Sequence, residues 1–148
     1  MNRVKVMSLF LLIAYAGLAL DCNVSYSSAS VTDATLTKEV NANKEAVGST
    51  NTFEADVPVI HCVVKLAHAP EDTKLKARWS VVKVVGQEPN SKIVDTDIDS
   101  VGKNNIFDFT FTPPPAGMPA GEYKVDIYLN PQAGKDEKPA KTLPFTVK

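Results

Sequence analysis

Apolar side chains in this chain return at every second residue, in runs too short for helices and separated by clusters of Pro, Gly, Asn and Asp. In "IFDFTFT" (106–112), Phe107, Phe109 and Phe111 alternate with Asp108 and Thr110. In "LKARWSVVKVV" (75–85), Leu75, Ala77, Trp79 and Val81 take one side while Lys76, Arg78 and Ser80 take the other. In "GEYKVDIYLN" (121–130), Tyr123, Val125, Ile127 and Leu129 alternate with Lys124, Asp126 and Tyr128, and "AKTLPFTVK" (140–148) repeats the pattern with Leu143, Phe145 and Val147. A period of two marks a strand with one buried face and one wet face. Three further runs, "VTDATLTKEV" (31–40), "VPVIHCVVKL" (57–66) and the polar "KIVDTDI" (92–98), bring the expectation to about seven strands. Helical periodicity is arguable only in "TLTKEVNANKEAV", where Thr, Val and Asn weaken it. No single sheet of such strands can bury its own apolar face. Two antiparallel sheets packed across one core are therefore expected, and 148 residues suit one such domain.

Three features make residues 31–148 resemble the immunoglobulin-like and fibronectin-type-III-like sandwiches of bacterial proteins. The short strands are punctuated by turns. A lone tryptophan, Trp79, points inward on the third of them. In "AGEYKVDIY", Tyr123 stands where such domains place a corner tyrosine, two residues before the site of their second core cysteine. That site is Val125 here, and its usual partner on the second strand would be Cys62, so the resemblance implies a sandwich without the inter-sheet disulfide. Cys62, Trp79, Phe109, Tyr123 and Val125 form the expected core. The fold hosts many unrelated functions and implies no activity by itself.

The first segment stands apart from this pattern. Arg3 and Lys5 precede "MSLFLLIAYAGLAL", an uncharged apolar stretch closed by Asp21. The layout is that of an export signal, and the stretch falls short of the roughly 20 residues of a spanning helix. Residues 1–21 are read as signal peptide, 22–30 as a Ser-rich spacer and 31–148 as the domain. Two endings compete. Cys22 occupies the place of the lipidated cysteine of a bacterial lipoprotein, although Ala19 and Asp21 depart from that family's preferred residues. Alternatively, Gly17 and Ala19 form the small pair of a cleavage site, which releases a free domain. Either way the expected location is the periplasm, the cell envelope or the exterior. Contact with a membrane would run only through a lipid on Cys22.

Sixteen basic side chains face seventeen acidic ones, for a net charge of −1, with no long block of one sign. Nucleic acid is a poor partner for such a chain. The adjacent His61 and Cys62 look like chemistry, but strand parity sends them to opposite faces of one sheet, Cys62 toward the core and His61 toward solvent. His68 and Met118 add too few ligands for a blue-copper or zinc site, and no metal or other cofactor is expected. Asp95, Asp97 and Asp99 alternate along one short strand. Edge-strand charge is a better reading of them than a weak calcium site. There is no G-x-S-x-G and no phosphate-binding glycine loop.

The expectation is thus a non-enzymatic exported module that binds or spaces an envelope protein or polysaccharide. The competing readings are a small periplasmic metal carrier or enzyme using His61, Cys62 or His68, and a carbohydrate-binding module. Candidate contact residues are Pro114 and Met118 in the proline-stiffened "TPPPAGMPAGEY", and Tyr128 on the outer side of its strand, with Tyr26 the other aromatic open to a sugar.

Overall fold

A computed structural model describes residues 29–132 and 137–148. The export signal, Cys22 and Tyr26 lie outside the described residues, as does part of the loop after β7 below. Eight strands follow in chain order: β1 (Ser30–Thr37), β2 (Thr52–Phe53), β3 (Ile60–Ala67), β4 (Leu75–Val84), β5 (Lys92–Ile98), β6 (Ile106–Phe111), β7 (Gly121–Leu129) and β8 (Lys141–Val147). They form a three-stranded sheet of order β1-β3-β6 and a five-stranded sheet of order β2-β8-β7-β4-β5. All pairings are antiparallel except β2 with β8.

The strand that alternation did not reveal is β2. Two residues carry no legible period, and what makes them a strand is distant: Thr52 pairs with Thr146 and Phe53 with Val147. Between β1 and β2 the chain changes sheets. "TLTKEVNANKEAV" is no helix there. Its first three residues end β1, and the rest forms a turn-rich connection in which Val40 bridges Ala46, while Thr37 Oγ1 contacts the carbonyls of Glu39 and Val47, each at 3.0 Å.

The inward residues of both sheets meet in one core. Trp79 stacks on Phe111 across the sandwich, with ring centroids 5.3 Å apart. Phe145 links Trp79, Tyr123 and Phe53, at centroid distances of 6.0, 5.4 and 5.6 Å. Such aromatic contacts add about 0.5–1.5 kcal/mol each to the area they bury. Cys62, Phe109 and Val125 belong to the same cluster, and Cys62 is a free thiol. Tyr123 donates its hydroxyl to the Pro119 carbonyl at 2.7 Å, which pins the β6–β7 connection to the core.

The outward faces are drier than alternation alone suggests. Val63, on the outer side of β3, is only 2% exposed. It shares a shallow cavity with Asn41, Glu45, Ala46 and Ser49 of the β1–β2 connection, and Lys65 Nζ reaches Glu45 at 3.9 Å. On the outer side of β7, Asp126 and Tyr128 are both buried.

Candidate docking site at the proline pole

One end of the sandwich is built from the turn before β3 and the connection between β6 and β7. Pro113, Pro114 and Pro115 have no N–H and restrict φ, so this stretch enters the folded state with little freedom to lose. The Gly117 N–H donates to the Pro114 carbonyl at 2.8 Å and closes a turn. Gly117 holds φ at +82°, and a Cβ there would stand 2.6 Å from the Ala55 carbonyl oxygen. Glycine is required twice over, for its dihedral and for the close approach. The next N–H, that of Met118, donates to the same Ala55 carbonyl at 2.8 Å, and the Ala55 N–H donates to the Lys148 carbonyl at 3.1 Å. Backbone bonds therefore lock the two loops together.

Between them lies a cleft of about 300 Å³ lined by residues 55–58 and 113–117. That volume sits at the lower end of the range for small-molecule pockets, so it suits one side chain or a tight turn rather than an enclosed substrate. Its walls are proline, alanine and valine. Asp56 is the one charged lining residue, and the three consecutive prolines bring no N–H donors. Pro114 is exposed on this cleft. Met118 is not. Its side chain is 5% exposed and packs in the core, because the turn at Gly117 points it inward, so it is no contact residue in this chain.

Tyr128 also needs correcting as a contact residue. Its outward direction is as alternation gives it, but the Arg78 guanidinium lies 5.3 Å from its ring centroid and the residue is 5% exposed. Arg78 is itself fixed by two hydrogen bonds donated to Asp95, at 2.8 and 3.1 Å, and Lys92 reaches the same carboxylate at 3.4 Å. Nearby, Lys124 Nζ pairs with Asp126 at 2.8 Å, and the Thr142 hydroxyl donates to the other Asp126 oxygen. The charges on this face satisfy one another. They leave neither a stacking platform for a sugar ring nor a bare cluster of cations.

The His61–Cys62 pair is separated as parity requires, but His61 is not a free surface residue. It is half-buried on the outer face of β3, with Nδ1 2.8 Å from Asp108 Oδ2. His61 stands opposite Thr110 in the register, so Asp108 is its diagonal neighbour, within reach of a long side chain but invisible without the strand pairing. Cys62 lies on the other side of the sheet, in the core. Burial, with a smaller contribution from the Asp108 charge, pushes its thiol up to about 12. A nucleophilic or metal-binding cysteine needs the opposite shift. His68 lies beyond the end of β3 and holds a positive φ of 53°. Among the described residues no three His, Cys, Asp or Glu side chains are grouped to hold a metal ion. Asp95, the first of the alternating aspartates, is taken by Arg78 and Lys92.

No family model matches the chain, and no curated protein matches it. Among solved structures it is similar to an immunoglobulin-like protein from Pseudomonas aeruginosa, with a TM-score of 0.57 at 12% sequence identity. The match covers 84% of this chain and 99% of that one. At such identity the likeness concerns the fold. The described residues form an all-β, immunoglobulin-like sandwich.

Proposed function

We propose that this immunoglobulin-like chain is a non-enzymatic exported module, held in the periplasm or cell envelope or secreted, that docks a partner protein through its proline pole. The observation that carries the reading is the preformed cleft between residues 55–58 and 113–117, locked by backbone hydrogen bonds. A rigid cleft binds at low entropic cost, since little in it must be ordered first. Asp56 beside the proline and alanine walls favours a segment that brings a small apolar side chain with a cation or N–H donor next to it. Export rests on the basic and apolar pattern of residues 1–21, and anchoring on Cys22 if that residue is acylated. Intact-mass analysis of the native protein separates a lipid-bearing Cys22 from an unmodified start at Leu20.

The test is Ala116→Arg, which fills the cleft from an exposed position and leaves the core untouched. Pull-downs from the host envelope are expected to lose the partner with the variant while circular dichroism stays unchanged. Retention of the same partners would overturn the proposal. A His61→Ala, Cys62→Ser double variant separates this reading from the carrier or enzyme, because it should keep both fold and partner. Loss of a bound metal or of a turnover in that variant would decide for the alternative. Cys62 should react with thiol reagents only as fast as the domain opens, and labelling at the rate of a free surface thiol would contradict the buried placement.

A further inference from the structure

We infer that the free edge of β5 pairs antiparallel with the β5 of a second copy of this chain, on a two-fold axis between Ile93 and Val94. This contact is separate from the cleft at the proline pole. Strand β5 ends the five-stranded sheet, and among the described residues no strand covers its outer side. Exposed edges are normally blunted by charge and kept free of large apolar groups. Here Ile93 and Val94 are 40% and 39% exposed, side by side, and both are large aliphatics.

What identifies the occupant is the charge order around them. Read antiparallel against itself, Lys92-Ile93-Val94-Asp95 sets Lys92 against Asp95 twice and Ile93 against Val94 twice. Opposite charges facing each other across a strand pair are favourable, and like charges are unfavourable. An axis through Asp95 would oppose two carboxylates directly, and an axis through Thr96 would oppose Asp95 with Asp97. Only the axis between Ile93 and Val94 matches both charges and both aliphatics. In a regular strand Lys92 and Asp95, three residues apart, would lie on opposite faces. The register skips a residue at this place: Val94 stands opposite Trp79 and Lys92 opposite Ser80. Ile93 is the extra residue of a bulge, and Lys92 and Asp95 come to one face, as their contact of 3.4 Å confirms. The carboxylate stays ionised because Arg78 donates to it. A contact this short is a weak, isologous one, well below the area of permanent dimers.

Sedimentation equilibrium on the full chain tests it, with non-ionic detergent present so that residues 7–20 do not associate. The wild type is expected to show a reversible monomer–dimer equilibrium at high micromolar concentration. Lys92→Glu alone and Asp95→Lys alone should each weaken it by roughly tenfold, since symmetry counts each change twice. Mixing these two variants should restore association. In the mixed pair the introduced glutamate faces the introduced lysine, and the native Asp95 of one copy faces the native Lys92 of the other. Circular dichroism checks that Asp95→Lys folds without its Arg78 pair, and Ile93→Arg supplies a variant that leaves that pair intact. A wild type that stays monomeric to about 1 mM overturns the inference, as does an equilibrium that ignores Ile93→Arg and the charge reversals. Loss of the dimer with partner docking intact, or the reverse with Ala116→Arg, tells the two proposals apart.

Discussion

Neighbouring residues on a single strand show two kinds of burial. On β7, Ile127 faces the opposite sheet and Tyr128 faces away, yet both are buried. Ile127 is covered by a whole second layer of apolar side chains, as any inward residue of a sandwich must be. Over the ring of Tyr128 lies the Arg78 guanidinium, which is held by Asp95 on another strand. On β3 the same split separates Cys62, sealed in the core, from Val63, sheltered beside the β1–β2 connection. Inner burial follows from the direction of a side chain. Outer burial depends on which long polar side chains or loops reach over it, and these come from far along the chain.

The comparison is tested most severely at Trp79. Trp79→Ala removes the largest core side chain, and aromatic-to-alanine core changes cost about 3–5 kcal/mol. A domain holds only about 5–15 kcal/mol in total. Thermal or denaturant unfolding should therefore show the variant at the margin of folding. A midpoint close to wild type would mean that the Trp79–Phe111 stack is not the centre of the inner layer.

On the outer side the matching change is Tyr128→Ala. It forfeits the buried ring and its contact with Arg78, but the space opens toward solvent and the Arg78 stem can settle into it. A loss of about 2 kcal/mol is expected, clearly below that of Trp79→Ala. Equal losses at the two positions would erase the distinction between inner and outer burial.

What could be read in the sequence follows the same division. The inward sets on β3, β4, β6, β7 and β8 are visible because period two is a local property, and Trp79 and Tyr123 mark the sandwich on which they sit. Strand β2 is not visible, since Thr52 and Phe53 owe their conformation to Thr146 and Val147. The His61–Asp108 contact is likewise hidden, because it needs the register of β3 against β6. Of the pole, the three prolines announce stiffness, but the turn at Gly117 is not read from the sequence. That Ala55 closes the other wall of the cleft emerges only when residues about sixty apart meet. Met118 misleads for the opposite reason: a loop methionine beside prolines looks available, and one positive φ turns it into the core.

A smaller effect isolates the link between the core and the pole. Tyr123→Phe keeps the stacked ring and deletes only the bond to the Pro119 carbonyl. The expected loss is about 1 kcal/mol, less if water replaces the hydroxyl in this part-buried bond. Hydrogen exchange should show faster opening of residues 113–120 with the rest of the domain unchanged. Uniform destabilisation would mean that the tyrosine serves the core alone and does not hold the cleft.

The smallest effect lies in the outer network and appears only as pH changes. Hydrogen bonds from Arg78, with help from the charge of Lys92, hold the Asp95 carboxyl below the usual carboxylate range in the folded state. A carboxylate with a depressed folded pKa binds its proton less readily than the unfolded chain does. Its stabilising share is therefore present above about pH 4, the ordinary aspartate value, and is lost as the pH falls through the lower folded value. Solvent reaches this strand, so screening keeps the share below about 1 kcal/mol. Asp95→Asn removes the titration. In dilute samples, where association across β5 is negligible, the variant should melt slightly below wild type from pH 5 to 7, and the gap should close as the pH drops below about 4. A gap that stayed constant down to pH 2 would show that Asp95 acts through shape rather than charge, and that the cover over Tyr128 is held by packing of the Arg78 stem alone.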